Sequence, residues 1–218
     1  MPTQKIIPAS EQRSESKVSN SRFIASISPA FSVEEAREFI ERTRQEFSDA
    51  SHNVPAFIIG HGASVTAHCN DDGEPPGTAG RPVLAVLQGS GMGDVVVVVS
   101  RYFGGTKLGT GGLVRAYSDA VRSVLSVVPR AEKAVTQKVD VVVPYKLLEQ
   151  AQILVKSHKG VIVERVFAAD VKLSLQFRME KFQDFNKDLL ELSHGSIRAS
   201  IVETNSETIL PLETQENS

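Results

Sequence analysis

Alternating or continuous apolar runs along the chain predict strands, and apolar residues three and four positions apart predict helices. Residues 21–31 alternate, with Phe23, Ala25 and Ile27 on one face, and the continuous run Val95–Val99 predicts a strand buried on both faces. Ser32, followed by Glu35, forms a capping box that starts a helix. Up to Pro129 the pattern predicts strands at 21–31, 54–61 and 95–99, and helices at 32–47, 81–89 and 109–128.

The chain after Pro129 has a different order of elements. Strands are predicted at 135–145, 161–167, 171–178 and 196–202, and helices at 146–160 and 180–195. The last strand is expected to place Ile197, Ala199 and Ile201 on one face. The order βαββαβ is that of the ferredoxin-like fold. The predicted class is therefore α+β, with a polar N-terminal segment (1–18), an amino-terminal domain (19–130), a ferredoxin-like domain (131–210) and a tail (211–218).

Composition and charge narrow the class of protein. The chain carries 24 basic and 26 acidic residues, so its net charge of −2 gives no global case for binding nucleic acid. No apolar run reaches the roughly 18 residues that a membrane span needs, and the amino terminus lacks the apolar stretch of a secretory signal. Cys69 is the single cysteine, which excludes an internal disulfide. A cytoplasmic location is expected.

The first chemically dense stretch is DDGEPPGTAGRP, which precedes a predicted helix. A glycine-rich helix start can hold a phosphate or carboxylate on its backbone N–H groups. In the competing interpretation, one of the stretch's own carboxylates caps the helix, or pairs with Arg81 or Arg101. The acids could also act as an acid/base pair or bind Mg²⁺ if a turn brought them together. The candidate residues are Asp71, Asp72, Glu74, Gly77, Thr78, Gly80 and Arg81.

The second dense stretch is SRYFGGTKLGTGGLVRAYSDA, which carries five glycines within nine positions. It lacks the Gly-Lys-Ser/Thr ending of a P-loop and the third glycine of a dinucleotide fingerprint. The glycines predict either a tight strand-to-helix turn or an anion cradle. Tyr102 is an open candidate for stacking on a base, whereas Phe103 is predicted to lie in the core. The candidate residues are Arg101, Tyr102, Gly104, Gly105, Lys107, Gly109, Thr110, Gly111, Gly112 and Arg115.

Metal and covalent chemistry have weaker signals. His52, His61, His68 and Cys69 are loose metal candidates, but their spacing fits no compact zinc pattern. No Gly-x-Ser-x-Gly elbow is present. We therefore predict no metal ion and no cofactor.

The two dense stretches, in this order and spacing, closely resemble those of the YigZ/IMPACT family, in the two-domain form found in bacteria. The resemblance implies that the first domain is similar to a small-subunit ribosomal protein and to part of elongation factor G, and that the second is similar to another elongation-factor domain. It also implies kinship with eukaryotic regulators that bind the activator of a translational stress kinase. It brings no catalytic residues with it.

The function expected from this resemblance is that of a non-enzymatic, translation-associated factor. Its partner would be RNA, the ribosome or a translation-related protein, bound through the two dense stretches as one surface. The alternative is a protein or enzyme that binds a small phosphate-bearing ligand through the glycine-rich helix starts and the three acids.

Overall fold

The computed structural model describes residues 5–62 and 64–212. The chain divides into two compact units: the first contains the described residues up to Glu132 together with Pro211 and Leu212, and the second is Lys133–Leu210. In the described residues, no helix combines the length and the apolar character that crossing a bilayer requires. The elements of the first unit are β1 (Ile6–Pro8), β2 (Gln12–Val18), β3 (Ser21–Pro29), α1 (Val33–Glu46), β4 (His52–His61), β5 (Ser64–Cys69), α2 (Gly80–Gly89), β6 (Val95–Tyr102) and α3 (Gly109–Val127).

The first unit is an antiparallel sheet in the order β2-β3-β6-β4-β5, with helices on both faces. Successive side chains of a strand point to opposite faces, so β6 supplies two cores. Val97 and Val99 pack on the side of α2 and α3, whereas Val96 and Val98 pack on the side of α1. Both faces of β6 are buried, which confirms the prediction from its continuous apolar run.

The start of α1 confirms the predicted capping box. Ser32 Oγ accepts a hydrogen bond from the Glu35 N–H at 3.0 Å. The Glu35 carboxylate in turn accepts one from the N–H of Phe31, at 2.8 Å. The return bond therefore reaches the residue before the cap rather than the cap itself.

Two strands of the first sheet were not predicted. Residues 12–18, expected only as part of a polar segment, form β2 and pair with β3 along their length. β5 pairs with β4 in the same way. Both are edge strands whose side chains are largely solvent-exposed, so they show no apolar alternation.

The second unit has the predicted ferredoxin-like topology. Its sheet runs in the order β10-β7-β9-β8. Residues 130–132, the part of β7 that belongs to the first unit, pair with β1. Val171, Leu173, Leu175 and Phe177 of β9 are buried, as their alternation predicted. The α+β class is therefore confirmed. The elements are β7 (Arg130–Val143), a 3-10 turn (Tyr145–Leu147), α4 (Leu148–Ser157), β8 (Val161–Phe167), β9 (Val171–Arg178), α5 (Met179–Leu192) and β10 (Ser200–Pro211).

The last strand differs from its prediction. β10 begins at Ser200, and Ile197 is buried ahead of it, whereas Ile201 is 52% exposed. The predicted shared face is wrong because Ile197 belongs to the turn after α5 and not to the strand ladder. Most of the predicted tail, residues 213–218, lies outside the described residues.

Candidate functional site

Asp71 caps α2 from outside the helix. Its Oδ2 accepts a hydrogen bond from the N–H of Gly77 at 2.8 Å, and its Oδ1 accepts from Gly80 at 2.8 Å and from Ala79 at 3.1 Å. Burial acts to raise the pKa of Asp71, but the three backbone N–H groups outweigh it and hold that pKa below its ordinary value. The anion position at this helix start is therefore filled by the protein's own carboxylate.

Asp72 joins the same loop to α1 and β4. Its backbone has a positive φ of 48°. The carboxylate accepts hydrogen bonds from the guanidinium of Arg44 at 2.9 Å and from the backbone N–H of Asn53 at 2.6 Å. Asp72 thus fixes the loop to α1 and β4, and its partners differ from those of Asp71.

Glu74 forms a buried ionic cluster with β6 and α3. Its side chain is 3% exposed, and its Oε1 accepts from Arg101 Nη1 at 2.5 Å and from the hydroxyl of Tyr117 at 2.7 Å. Burial, and then the bond to Glu74, raise the pKa of Tyr117 far above its ordinary range. His52 Nδ1 donates to the Asp72 carbonyl at 2.7 Å, and its Nε2 lies 3.8 Å from Glu74. The cluster connects the two dense stretches through the interior.

This geometry decides between the interpretations of the first stretch. Each of the three carboxylates faces a different set of internal partners, so they do not form a shared acid/base or magnesium site. Across residues 5–62 and 64–212, no three His, Cys, Asp or Glu side chains are placed to hold a metal ion. The structural interpretation accounts for the acids: Asp71 caps a helix and Glu74 pairs with Arg101.

The loose histidine–cysteine set is dispersed. His61 Nε2 donates to the Ile6 carbonyl at 3.2 Å, at the opposite end of β4 from His52. The ring of His68 packs against Phe57, with centroids 5.4 Å apart. Burial, assisted by the nearby carboxylate of Asp71, raises the pKa of the Cys69 thiol. These side chains therefore have separate surroundings rather than one site.

The structure places three further side chains singled out in the sequence: Thr78, Tyr102 and Phe103. Thr78 Oγ1 donates to a backbone carbonyl of its own loop, and the Tyr102 hydroxyl donates to Asp49 at 2.6 Å. The guanidinium of Arg22 lies over the Tyr102 ring. The prediction that Phe103 lies in the core is wrong, because its side chain is 50% exposed just beyond the end of β6.

The glycines of the second stretch meet different structural requirements. Gly104 lies against the backbone of Asn20, where a Cβ would overlap the peptide atoms. Gly105 and Gly109 have positive φ angles of 84° and 71°. A Cβ on Gly111 would meet nothing within 4 Å among the described atoms. The tight-turn interpretation accounts for the first three, but Gly111 needs another explanation.

We expect alanine substitutions to separate these glycines. Gly104→Ala should lower the free energy of unfolding by about 1–3 kcal/mol, because the backbone of Asn20 must move. Gly111→Ala should be neutral or stabilise by up to about 1 kcal/mol, because alanine loses less backbone entropy in a helix. Chemical denaturation of both variants measures this. Equal destabilisation by the two substitutions would contradict it.

Lys107 and Arg115 are exposed cations at the start of α3. In the part of the chain that the structure describes, neither has a carboxylate within ion-pairing distance. The helix begins at Gly109 with no acid in its first turn, and no described side chain caps it. The charges of Lys107 and Arg115 are therefore available to solvent, whereas the carboxylates of the first stretch are engaged by internal partners.

Sequence reasoning missed Tyr117, Arg44 and Asn53. A signal existed for Tyr117, which lies one helical turn after Leu113 on the apolar stripe of α3. A tyrosine on a buried stripe needs a hydrogen-bond partner for its hydroxyl. The acids of the first dense stretch were candidate acceptors. Arg44 and Asn53 gave no comparable signal, because their contact with Asp72 depends on tertiary packing.

The matches to known proteins cover most of the chain, and the matching family model lies within the first unit. Residues 19–125 match the family model of the Impact N-terminal domain. The chain is 35% identical over 199 residues to IMPACT family member YigZ of Escherichia coli, covering 91% of this chain and 98% of that protein. The chain belongs to the IMPACT family. This confirms the resemblance carried by the two dense stretches.

A eukaryotic relative and a solved structure also match the chain. The Protein IMPACT homolog of Schizosaccharomyces pombe is 33% identical over 108 residues, which cover 48% of this chain and 38% of that protein. A crystal structure described as that of a hypothetical protein superposes with a TM-score of 0.61 at 34% identity, covering 93% of this chain and 99% of that one. The likeness to that structure therefore extends over nearly all of both chains.

Proposed function

We propose that the protein is a non-enzymatic, translation-associated factor that acts by binding to RNA, the ribosome or a translation-related protein. Membership of the IMPACT family supports the link to translation. The kinship with eukaryotic translational regulators that the sequence resemblance implies supports it further. A cytoplasmic location is part of this proposal.

The observation that carries the proposal is the contrast between the two dense stretches. The carboxylates of the first are engaged by internal partners. In the second, Lys107 and Arg115 flank the uncapped start of α3, and Phe103, which precedes Lys107 in the same stretch, is half exposed. We call this the α3-start surface: Phe103, Lys107, Gly109, Thr110, Gly111 and Arg115. Exposed cations with an aromatic side chain suit an anionic macromolecular partner.

The alternative, a small phosphate-bearing ligand, was based on two helix starts, and only one of them is still open to such a ligand. Asp71 occupies the start of α2, so a phosphate there would have to displace a carboxylate held by three N–H groups. The start of α3 remains a place for such a ligand. A thermal-shift series with inorganic phosphate tests it directly.

Co-sedimentation with ribosomes across a salt series tests the main proposal. Lys107→Ala/Arg115→Ala should weaken binding roughly tenfold and reduce its salt dependence, because two phosphate-directed cations are removed. Arg101 is excluded from the variant because it is buried and paired with Glu74.

The matched control is Lys17→Ala/Arg37→Ala. Both residues are exposed, and both lie on the α1 side of the sheet, Lys17 by strand alternation and Arg37 by its position on α1. This control should bind as the wild type does. Equal binding by the Lys107/Arg115 variant and the wild type would overturn the proposed surface.

A further inference from the structure

Charge is distributed unevenly over the two helical layers of the first unit. α1 carries five glutamates and three arginines. α2 and α3 carry a single acid, Asp119, and Lys107 and Arg130 flank α3 at its two ends. The near-neutral chain therefore has one helical layer rich in acids and one rich in bases. The basic layer consists of Arg81, Lys107, Arg115, Arg122 and Arg130, all of them exposed.

A groove of about 690 Å³ runs between α2 and α3. Arg122, Arg130 and Ser118 line it. Ser90 and Ser126 line it too, but their hydroxyls already donate to the carbonyls of Leu87 and Ser123. Hydroxyl and guanidinium groups are the donors that nucleic-acid backbones meet most often in proteins. The lining thus offers two charged donors, Arg122 and Arg130, together with the hydroxyl of Ser118.

The ion pair between Arg122 and Asp119 does not remove this arginine from the surface. The two groups lie 2.7 Å apart, but their side chains are 62% and 64% exposed. Exposed ion pairs of this kind are weak, so Arg122 can exchange the carboxylate for a phosphate. Asp119 is then a weak competitor for any anion that enters the groove.

The spacing of the cations fits an extended polyanion. Arg115 and Arg122 are seven residues apart on α3, which places them about 10 Å apart on one face. The whole row, from the start of α3 to Arg130 beyond its end, is about 30 Å long. Charges spread along a line match a chain of phosphates better than a compact acidic patch on a protein.

We infer that the groove between α2 and α3 binds the phosphodiester backbone of RNA, with Arg122 and Arg130 contacting phosphates. The choice of RNA over DNA rests on the proposed function in translation. Because the contacts are to backbone phosphates, binding is independent of base sequence and falls steeply with salt.

Fluorescence anisotropy with a labelled, mixed-sequence single-stranded RNA tests this inference. Arg122→Ala/Arg130→Ala should weaken binding roughly tenfold, and the slope of log K against log salt should become shallower by about 1.4, or 0.7 for each lost phosphate contact. Lys17→Ala/Arg37→Ala should leave both quantities unchanged. Asp119→Ala should tighten binding about twofold to threefold, since it removes the competing carboxylate. This gain cannot result from poor folding.

The outcomes also separate the inference from the proposed function. Absence of RNA binding by the wild type at low salt overturns the inference, as does weaker binding by Asp119→Ala.

If the Arg122/Arg130 variant binds RNA normally while Lys107→Ala/Arg115→Ala loses ribosome binding, the proposed function stands and the inference fails. If the Arg122/Arg130 variant loses ribosomes although no free RNA is bound, the occupant is a protein and the inference is overturned. RNA binding that depends on the groove, without any ribosome association, supports the inference and contradicts ribosome binding as the function.

Discussion

Replacing Glu74 by alanine is expected to lower the free energy of unfolding by about 3–5 kcal/mol, because it leaves the charge of Arg101 buried without a counter-ion. The Arg101 side chain is 6% exposed, and its Nε already has no hydrogen-bond partner among the described residues. The Tyr117 hydroxyl loses its acceptor in the same variant. Equilibrium denaturation followed by circular dichroism measures the change.

Two further variants make this result specific to the ion pair. Glu74→Gln retains an acceptor for Tyr117 but loses the charge, so its stability should lie between those of the wild type and Glu74→Ala. Glu74→Leu/Arg101→Met removes both charges together and should recover most of the loss. A Glu74→Ala variant within about 1 kcal/mol of the wild type would show that the cluster is not a structural link.

Asp71→Ala is expected to cost about 2–3 kcal/mol, because a charged acceptor is lost from three backbone N–H groups at the start of α2. Asp71→Asn should cost less, because the amide oxygen still accepts. Thermal unfolding of the three proteins at neutral pH gives the order.

The same carboxylate predicts a pH dependence. The folded-state pKa of Asp71 is lowered, so its stabilisation is fully present above the pKa of the unfolded chain and is lost as the pH falls through the folded-state pKa. The stability difference between the wild type and Asp71→Asn should therefore narrow in acid. A difference that stays constant down to about pH 3 would contradict the charged cap.

Much of the fold could be predicted because its signals are local. The apolar run of β6, the capping box at Ser32 and the alternation of β9 each depend on neighbouring residues only. β2 and β5 could not be found in this way, because an exposed edge strand needs no apolar side chains. Their existence depends on the strands with which they pair.

The same distinction between local signals and tertiary contacts applies to the candidate site. The sequence predicted one surface made by both dense stretches. The buried ion pair between Glu74 and Arg101 joins them through the interior, and their sharing of a binding surface stays a prediction. Which acid caps and which one pairs could not be predicted, because Asp71 reaches N–H groups six to nine residues ahead through the shape of its loop. The role of the α3-start surface as a binding surface stays a prediction.

The most direct test of the account is ribosome co-sedimentation of Lys107→Ala/Arg115→Ala, compared with Glu74→Gln at a temperature where both remain folded. We expect the first variant to lose ribosome binding while its stability is unchanged, and the second to lose stability while it still binds ribosomes. Loss of ribosome binding in folded Glu74→Gln, with normal binding by Lys107→Ala/Arg115→Ala, would contradict it and assign the contact to the acidic stretch.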